Sequence, residues 1–385
     1  MKRTGLLILA LGLSITVQPA QADWGANQRL TWNSTGSYAP DIAVDSGNAV
    51  HVVWYDSLPG PAAEIYYRRS TDGGSSWSVA QRLTSNSGES LFPAIAIDSN
   101  NTIHVVWGDD TPGDAQIFYR RSTDGGTTWS SARRLTWISG WSELPDIAID
   151  SNNTIHVVCQ TDAYTPDNRE IYYMSSSDGG TTWSATKRLT WNSGHSEAPA
   201  IATDSSDAIH VVWHDDTPGT YEIYYKRSLD GGTTWSATKR LTWTASFYRY
   251  PDIAIDSSNA IHVVWEGYTS GNTEIYHKRS TDSGTTWSAA QRLTWISGGS
   301  YQPAIAIDSS KAIHVVWDDD TSGNPDLYHK KSADGGLTWS AAQRLTWTLG
   351  HSYAPAIAID SGSIIHIAWQ DDTPGNYEIY YKKGN

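Results

Sequence analysis

A single cysteine, Cys159, stands among 385 residues, which excludes an intramolecular disulfide framework. Basic side chains are scarce: 27 Lys and Arg face 41 Asp and Glu, giving a formal charge of −14. That balance disfavours nucleic acid and anionic membrane as partners. No stretch carries a 3.6-residue apolar period, so helices are not expected. Beyond residue 22 no run approaches a membrane span. There is no HExxH, no Cys pair and no zinc-type spacing. What the chain has in quantity is aromatic and turn-forming: 20 Trp, 21 Tyr and 32 Gly exclude a disordered composition, and the length suffices for a core.

The first 22 residues read as a processing segment. Lys2 and Arg3 precede an apolar run from Leu6 to Val17, and Ala20-Gln21-Ala22 supplies a small-x-small cleavage site. The expectation is a signal peptide over 1–22, and one domain over 23–385 in a secreted or periplasmic protein, with cell-surface association a further option. No transmembrane anchor is expected after processing.

The organising fact is a repeat. The motif I/V-H-V-V-W and its variants place His51, His104, His156, His210, His262, His314 and His366 at intervals of 52 to 54 residues. Each unit contains four strand candidates, exemplified by Pro93 to Asp98, Ile103 to Trp107, Glu222 to Ser228 and Trp129 to Thr136. They are rich in Ile, Val, Tyr, Trp and Thr, and Gly, Asp, Asn, Ser and Pro punctuate them. The predicted fold is all-β: a seven-bladed β-propeller with four antiparallel strands per blade. An open solenoid would need polar capping repeats, and none is present.

The ends of the chain support closure. The last unit stops at its third strand, Glu378 to Lys383, and Trp24 with Gln28 to Thr31 reads as an orphan fourth strand. Joined, they complete one blade and remove the free edges. Nineteen tryptophans follow the repeat and are expected to stabilise packing within and between blades, with Cys159 and Ser85 replacing two; only Trp141 stands apart.

Between third and fourth strands the chain reads S-x-D-x-G-x-x-W six times, from Ser70 to Trp77 through Ser332 to Trp339. This resembles the Asp-box, or BNR repeat, of sialidases and related propellers. The resemblance implies that Asp72, Asp124, Asp178, Asp230, Asp282 and Asp334 are structural turn residues. It also implies, as one alternative, a sialidase-like glycoside hydrolase of the exo-alpha-sialidase type. Sialidases of the family hold the substrate carboxylate with three arginines, the first in an R-I-P motif; the nearest place here reads Tyr38-Ala39-Pro40-Asp41.

Chain direction puts the fourth-to-first connections and the second-to-third loops on one face. That face varies between units, whereas the opposite face is near-identical, and variable loops on a constant scaffold are where sites sit. Ligand-binding candidates there are Tyr38, Trp141, His195, Tyr248, Arg249, Tyr250, Tyr268, Tyr301 and Tyr353. Glu89, Glu143, Glu197 and Arg249 form the pool for any catalytic carboxylates or their partners; the repeat should place the three glutamates blades apart. Asp215, Asp216, Asp319 and Asp320 are weak calcium candidates, against ordinary acidic turns. No other cofactor is expected. Aromatic platforms beside carboxylates suit neutral glycans, and an extracellular protein ligand fits the same composition. The resulting expectation is a non-catalytic, lectin-like binding propeller, with a glycoside hydrolase or a structural cell-surface protein as alternatives.

Overall fold

A computed structural model describes residues 23–57, 62–162, 168–243, 247–269, 271–295 and 297–385. The expected leader lies outside the described residues. The chain forms seven four-stranded antiparallel sheets arranged in a ring. In blade one the strands are Ser37–Val44, Val50–Ser57, Ala63–Ser70 and Gln81–Arg82, and the pattern repeats through blade six. Blade seven is Ser352–Ile359, Ile365–Asp371 and Glu378–Gly384, closed by Gln28–Arg29 from the other end of the chain. Gln28 pairs with Tyr381 and Arg29 with Tyr380, and Trp24 bridges Gly384. Among the described residues no helix is long and apolar enough to cross a membrane.

The fourth strands are shorter than the sequence suggests. Trp129 to Thr136 yields a ladder of only Arg133–Arg134. Trp129 precedes it and turns inward, with its Nε1 donating to Gln81 of the preceding blade at 3.2 Å and its ring edge-on to Tyr67. The outermost strand thereby offers almost no free edge to another sheet.

The second strand is the buried one: every residue from Ile103 to Asp109 is enclosed. Its apolar side chains pack between blades, as where Val53, Ile65, Tyr67 and Leu83 of blade one meet Ile95, Ile103, Val105 and Trp107 of blade two. The repeated histidine is tied through Nδ1 in every blade and also through Nε2 in three. His156 Nε2 lies 3.2 Å from Asp150, and its Nδ1 2.8 Å from the Tyr173 hydroxyl. Burial pushes the His156 pKa down, although Asp150 partly restores it. These histidines are blade fixtures, with Tyr or His from the third strand as the partner.

The Asp-box works as a turn. Asp124 Oδ1 accepts from Ser122 Oγ, Thr127 N and Thr128 N, and Oδ2 accepts from Thr128 Oγ1 at 2.6 Å. Gly126 has φ 83°, and a Cβ there would lie 2.1 Å from the Tyr67 hydroxyl oxygen. Glycine therefore lets the preceding blade's tyrosine dock against the turn.

One expectation about tryptophan fails. The indoles at the end of the second strand are buried, but Trp32, Trp137, Trp191, Trp243, Trp295 and Trp347, just after the fourth strand, are 65% to 76% exposed. They leave the sheet where the chain turns toward the next blade, so no neighbouring strand covers their outer faces.

Candidate functional site

On the variable face, each first strand meets its second strand through one cross-strand pair near the mouth of the ring. Tyr38 pairs with Tyr55, Leu91 with Gly108, Glu143 with Gln160, Glu197 with His214, Arg249 with Glu266, Tyr301 with Asp318 and Tyr353 with Gln370. These positions carry the chemistry because the repeat leaves them free to differ.

A repeated bulge fixes them. The residue before each first-strand proline is left-handed, from Ala39 at φ 46° to Phe92 at 51°, an unfavourable conformation for a non-glycine residue. Its N–H is turned toward the preceding blade. Gln302 N donates to Glu266 Oε2 at 2.9 Å, Ala198 N to Gln160 Oε1 at 2.9 Å and Ala39 N to Gln370 Oε1 at 2.9 Å. Tyr250 N donates to His214 Nδ1 at 3.4 Å. Each of these site residues is thus held by the next blade as well as by its own.

The polar groups concentrate in blades three to six. Arg169, from the second-to-third loop of blade three, hydrogen-bonds Glu197. Glu197 Oε2 lies 3.4 Å from His214 Nε2. Because His214 Nδ1 accepts from Tyr250 N, its proton sits on Nε2 and points at Glu197, an assignment made from the hydrogen-bond network. Burial pushes the Glu197 carboxyl up, but the bonds from His214 and Arg169 outweigh it and hold the group at about 2. Burial pushes His214 down, with Glu197 opposing, so the imidazole is neutral. Tyr221 hydrogen-bonds the same carboxylate and is pushed to about 12, chiefly by burial. The Arg249 guanidinium lies 4.5 Å over the Tyr221 ring, and its Nε has no hydrogen-bond partner.

Beside it the carboxyls behave differently. Burial drives Glu266 to about 7, against the Gln302 N–H and the Arg249 charge. Asp318 is buried and pushed well above the usual carboxylate range, first by burial and then by Glu266. The site therefore sets an ionised carboxylate, a neutral imidazole and two proton-holding carboxyls side by side. Such a surface offers both acceptors and donors to hydroxyl groups.

The sequence candidates divide accordingly. Glu143 and Glu197, expected to stand blades apart, both feel Arg169 and each other, because that loop arginine reaches across the blade boundary. Glu89 lies in blade two, its backbone N bonded to Asp110, outside this group. Tyr250, Tyr268 and Trp141 are exposed by 43%, 50% and 47%. Tyr38 stacks on Tyr55 at 5.4 Å and approaches Tyr377 at 5.4 Å, and Tyr353 reaches the same Tyr377 at 6.3 Å. Tyr301 is half-buried near Asp320. His195 is half-buried, with its backbone N on Asp216.

Tyr248 is a correction: it is 4% exposed and packs on Trp265 and Tyr276. Blade five replaces the usual Ser with Tyr248 and the opposing carboxylate with Gly267, so the ring fills that space instead of facing solvent.

The acidic loops are turn acceptors. Asp215 Oδ2 takes bonds from Ser196 and Asn192, and its Oδ1 from Thr217 N. Asp319 does the same for Ser300, Trp317 and Thr321. Asp216 and Asp320 cap His195 N and Gly299 N. Among the described residues no three His, Cys, Asp or Glu gather as a metal site.

Sequence reasoning passed over Tyr221 and Tyr377. Both occupy one register at the start of the third strand, which reads Ala63, Ala115, Arg169, Tyr221, Thr273, Pro325 and Tyr377 in successive blades. Variation at that one register was the available signal.

A family model described as a BNR repeat-containing family member matches residues 187–374. With six Asp-boxes in seven closed blades, the assignment follows. The fold is a seven-bladed propeller with Asp-box turns, consistent with a BNR-repeat protein. No curated protein matches it in sequence. Among solved structures, this propeller is similar to a protein of unknown function from Dyadobacter fermentans, at 12% identity and TM-score 0.63, covering 94% of this chain and 99% of that one. It is similar to a PL25 ulvan lyase at 12% identity and TM-score 0.63, covering 90% and 93%. It is also similar to the NanB sialidase from Streptococcus pneumoniae at 14% identity and TM-score 0.55, covering 92% and 70%. At these identities the likeness is one of fold.

Proposed function

We propose that the protein is an exported, lectin-like propeller that binds carbohydrate on the variable rim, centred on Glu197, His214, Arg249 and Tyr250. The observation that carries this reading is the tethered polar cluster with tyrosine faces around it. An ionised carboxylate and protonated carboxyls alternate there with exposed or half-buried rings. Sugars present apolar C–H faces with hydroxyl edges, and this surface matches both. The carbohydrate-active neighbours of the fold agree with a glycan ligand.

One observation favours turnover as a second reading. Glu266, held at about 7 beside the Arg249 cation, has the proton affinity of a general acid at neutral pH. A glycan array run beside a fluorogenic glycosidase panel, on protein lacking residues 1–22, separates the two. The expected result is binding that falls at least tenfold in His214→Ala, without turnover. Turnover abolished by Glu266→Gln establishes the enzymatic reading instead, and no binding to any glycan refutes both.

A further inference from the structure

The exposed indoles stand outside the central cluster, and the fold does not account for them. Each of Trp32, Trp137, Trp191, Trp243, Trp295 and Trp347 opens about two-thirds of its surface to solvent. Six large rings repeated at equivalent places around one rim offer a periodic aromatic surface, and tryptophan is enriched where proteins bind. We propose that these six rings form a multivalent platform for a neutral, repeating polysaccharide, each indole stacking on the C–H face of one sugar unit. This site is separate from the central rim and does not depend on it.

The rings are held from beneath. Lys226 of the following blade lies 5.5 Å from the Trp191 centroid, Lys278 5.3 Å from Trp243, Lys330 5.6 Å from Trp295 and Lys382 5.8 Å from Trp347. Arg68 does the same for Trp32 at 5.7 Å, and Arg134 lies 4.3 Å from Trp137. One face of each indole is thus fixed on a cation while the other meets water. A ring already immobilised loses little freedom when a ligand stacks on it.

Charge selects the ligand. The lysine ammonium groups donate to backbone carbonyls, Lys226 to Leu189 O for example, and are not free for an anion. The fourth-strand arginines are ion-paired with buried acids, as Arg188 is with Glu170 at 2.6 Å and Arg240 with Glu222 at 2.8 Å, except Arg134, which has Gln116 at the acid's place and bonds Thr136 O. The cation beneath each ring is covered, as with Lys226, Lys278 and Lys382 at 8%, 7% and 5% exposed, so it is not presented to a ligand, and the whole chain is at −14. An acidic polymer is repelled overall, whereas a neutral one is not.

The junction of blades one and two keeps its strand pairing without the ring. Ser85 stands in the tryptophan's place, yet Leu83 N still bonds Ile65 O at 2.7 Å and Arg82 still pairs with Glu64 at 2.5 Å. What changes is the surface: a cleft of about 280 Å³ opens over Leu83, Phe118 and Arg120. One ring per blade on one rim cannot converge on a single small molecule. It suits a chain of like units, where several weak contacts combine into avidity of about 10²–10⁴.

The test is retention on immobilised neutral β-glucan, neutral galactan and an acidic uronan, with each variant's thermal unfolding recorded. Wild type is expected to bind a neutral polymer. The triple variant Trp191→Ala, Trp243→Ala, Trp295→Ala is expected to lose at least about tenfold in apparent affinity, and Ser85→Trp to gain. Short soluble oligosaccharides, titrated into the same proteins, report the central rim; the triple variant leaves that binding unchanged, so failure of either reading shows separately. The proposal is overturned if the triple variant melts like wild type and retains full polymer binding. It is equally overturned if only the acidic polymer is retained, or if wild type retains neither neutral polymer.

Discussion

Removing the Glu378 carboxylate should loosen the ring at its closure and nowhere else. The side chain has no exposed surface, and its Oε1 accepts from Arg29 Nη2 at 2.8 Å and from Asn33 N at 2.7 Å. Both partners come from the opposite end of the chain, so the contact belongs to the closure itself. Breaking a buried ion pair by deleting one partner costs about 3–5 kcal/mol. Arg29 is 26% exposed and regains some hydration, which places Glu378→Ala near the lower bound, about 3 kcal/mol. Unfolding entropy of about 2.1 cal/mol/K per residue over about 360 residues is about 0.76 kcal/mol/K, so the melting temperature falls by about 4 °C. The control is Glu222→Ala in blade four, where Arg240 Nη2 sits at the same 2.8 Å. There the third and fourth strands are joined by the Asp-box turn, so the melt shifts without releasing an end. Hydrogen exchange over residues 24–31 should rise in Glu378→Ala and stay unchanged in Glu222→Ala. A melt shift below about 1 °C, or equal release of the N-terminal strand in both variants, would refute the reasoning.

Three further outcomes are expected. Glu266 is held at about 7, Asp146 at about 8, and Asp41 and Asp252 at about 6, each raised chiefly by burial. A carboxyl whose folded pKa exceeds its unfolded one binds protons more tightly when folded, so stability should fall as pH rises from about 4 to 8. Urea midpoints should show that decline, and Glu266→Gln, which keeps an acceptor for Gln302 N, should flatten it; an unchanged slope counts against the assignment. Cys159 is fully buried and its thiol is pushed up to about 12, so a thiol reagent at pH 8 should label it only after denaturation. Asp146→Ala should destabilise by about 1–3 kcal/mol, because the carboxyl accepts from Ile147 N of its own strand and from Ile201 N across the blade three–four boundary, each at 2.8 Å; chemical denaturation reads this directly.

The architecture was legible because its signals repeat. The histidine interval counted the blades, and the orphan segment at Gln28 to Thr31 located the closure later seen at Tyr380 and Tyr381. The Asp150–His156 contact was readable from the tight turn between first and second strands, but its third partner, Tyr173, was not, since it comes from a different strand. The tryptophan error has the same origin. Sequence periodicity says that residues occupy equivalent places without saying whether those places face a neighbour or water, so Trp213 and Trp191 look alike until one is found buried and the other 68% exposed. Cys159 shows the opposite case. Where the indole is lost, the carboxylate two residues on becomes Thr161; Trp54 donates to Asp56 at 2.7 Å and Trp107 to Asp109 at 3.2 Å, whereas blade five keeps Trp265 with Gly267 and leaves the indole Nε1 without a partner.

The rim could be located by chain direction but not assembled, and the reason lies in the left-handed residue before each proline. That bulge turns an N–H toward the preceding blade, so the second-strand residue it meets decides both how two blades join and what the rim presents. Glutamine in blades three and seven supplies a neutral acceptor; His214 supplies Nδ1 and thereby directs its proton to Glu197; Glu266 supplies a carboxylate oxygen. In blade two Gly108 supplies no side chain at all. Where a side chain accepts the turned N–H, the diversity of the site is therefore a diversity of acceptors for one group, and the Gly108 junction shows that the ring also closes without one. Function can vary there while each acceptor that is present ties its own junction. By this logic His214→Gln should keep the blade four–five junction while losing the link to Glu197, whereas His214→Leu should lose both, leaving Tyr250 N unpartnered at about 1–3 kcal/mol. Equal stability of the two variants would mean that the bulge does not depend on its neighbour.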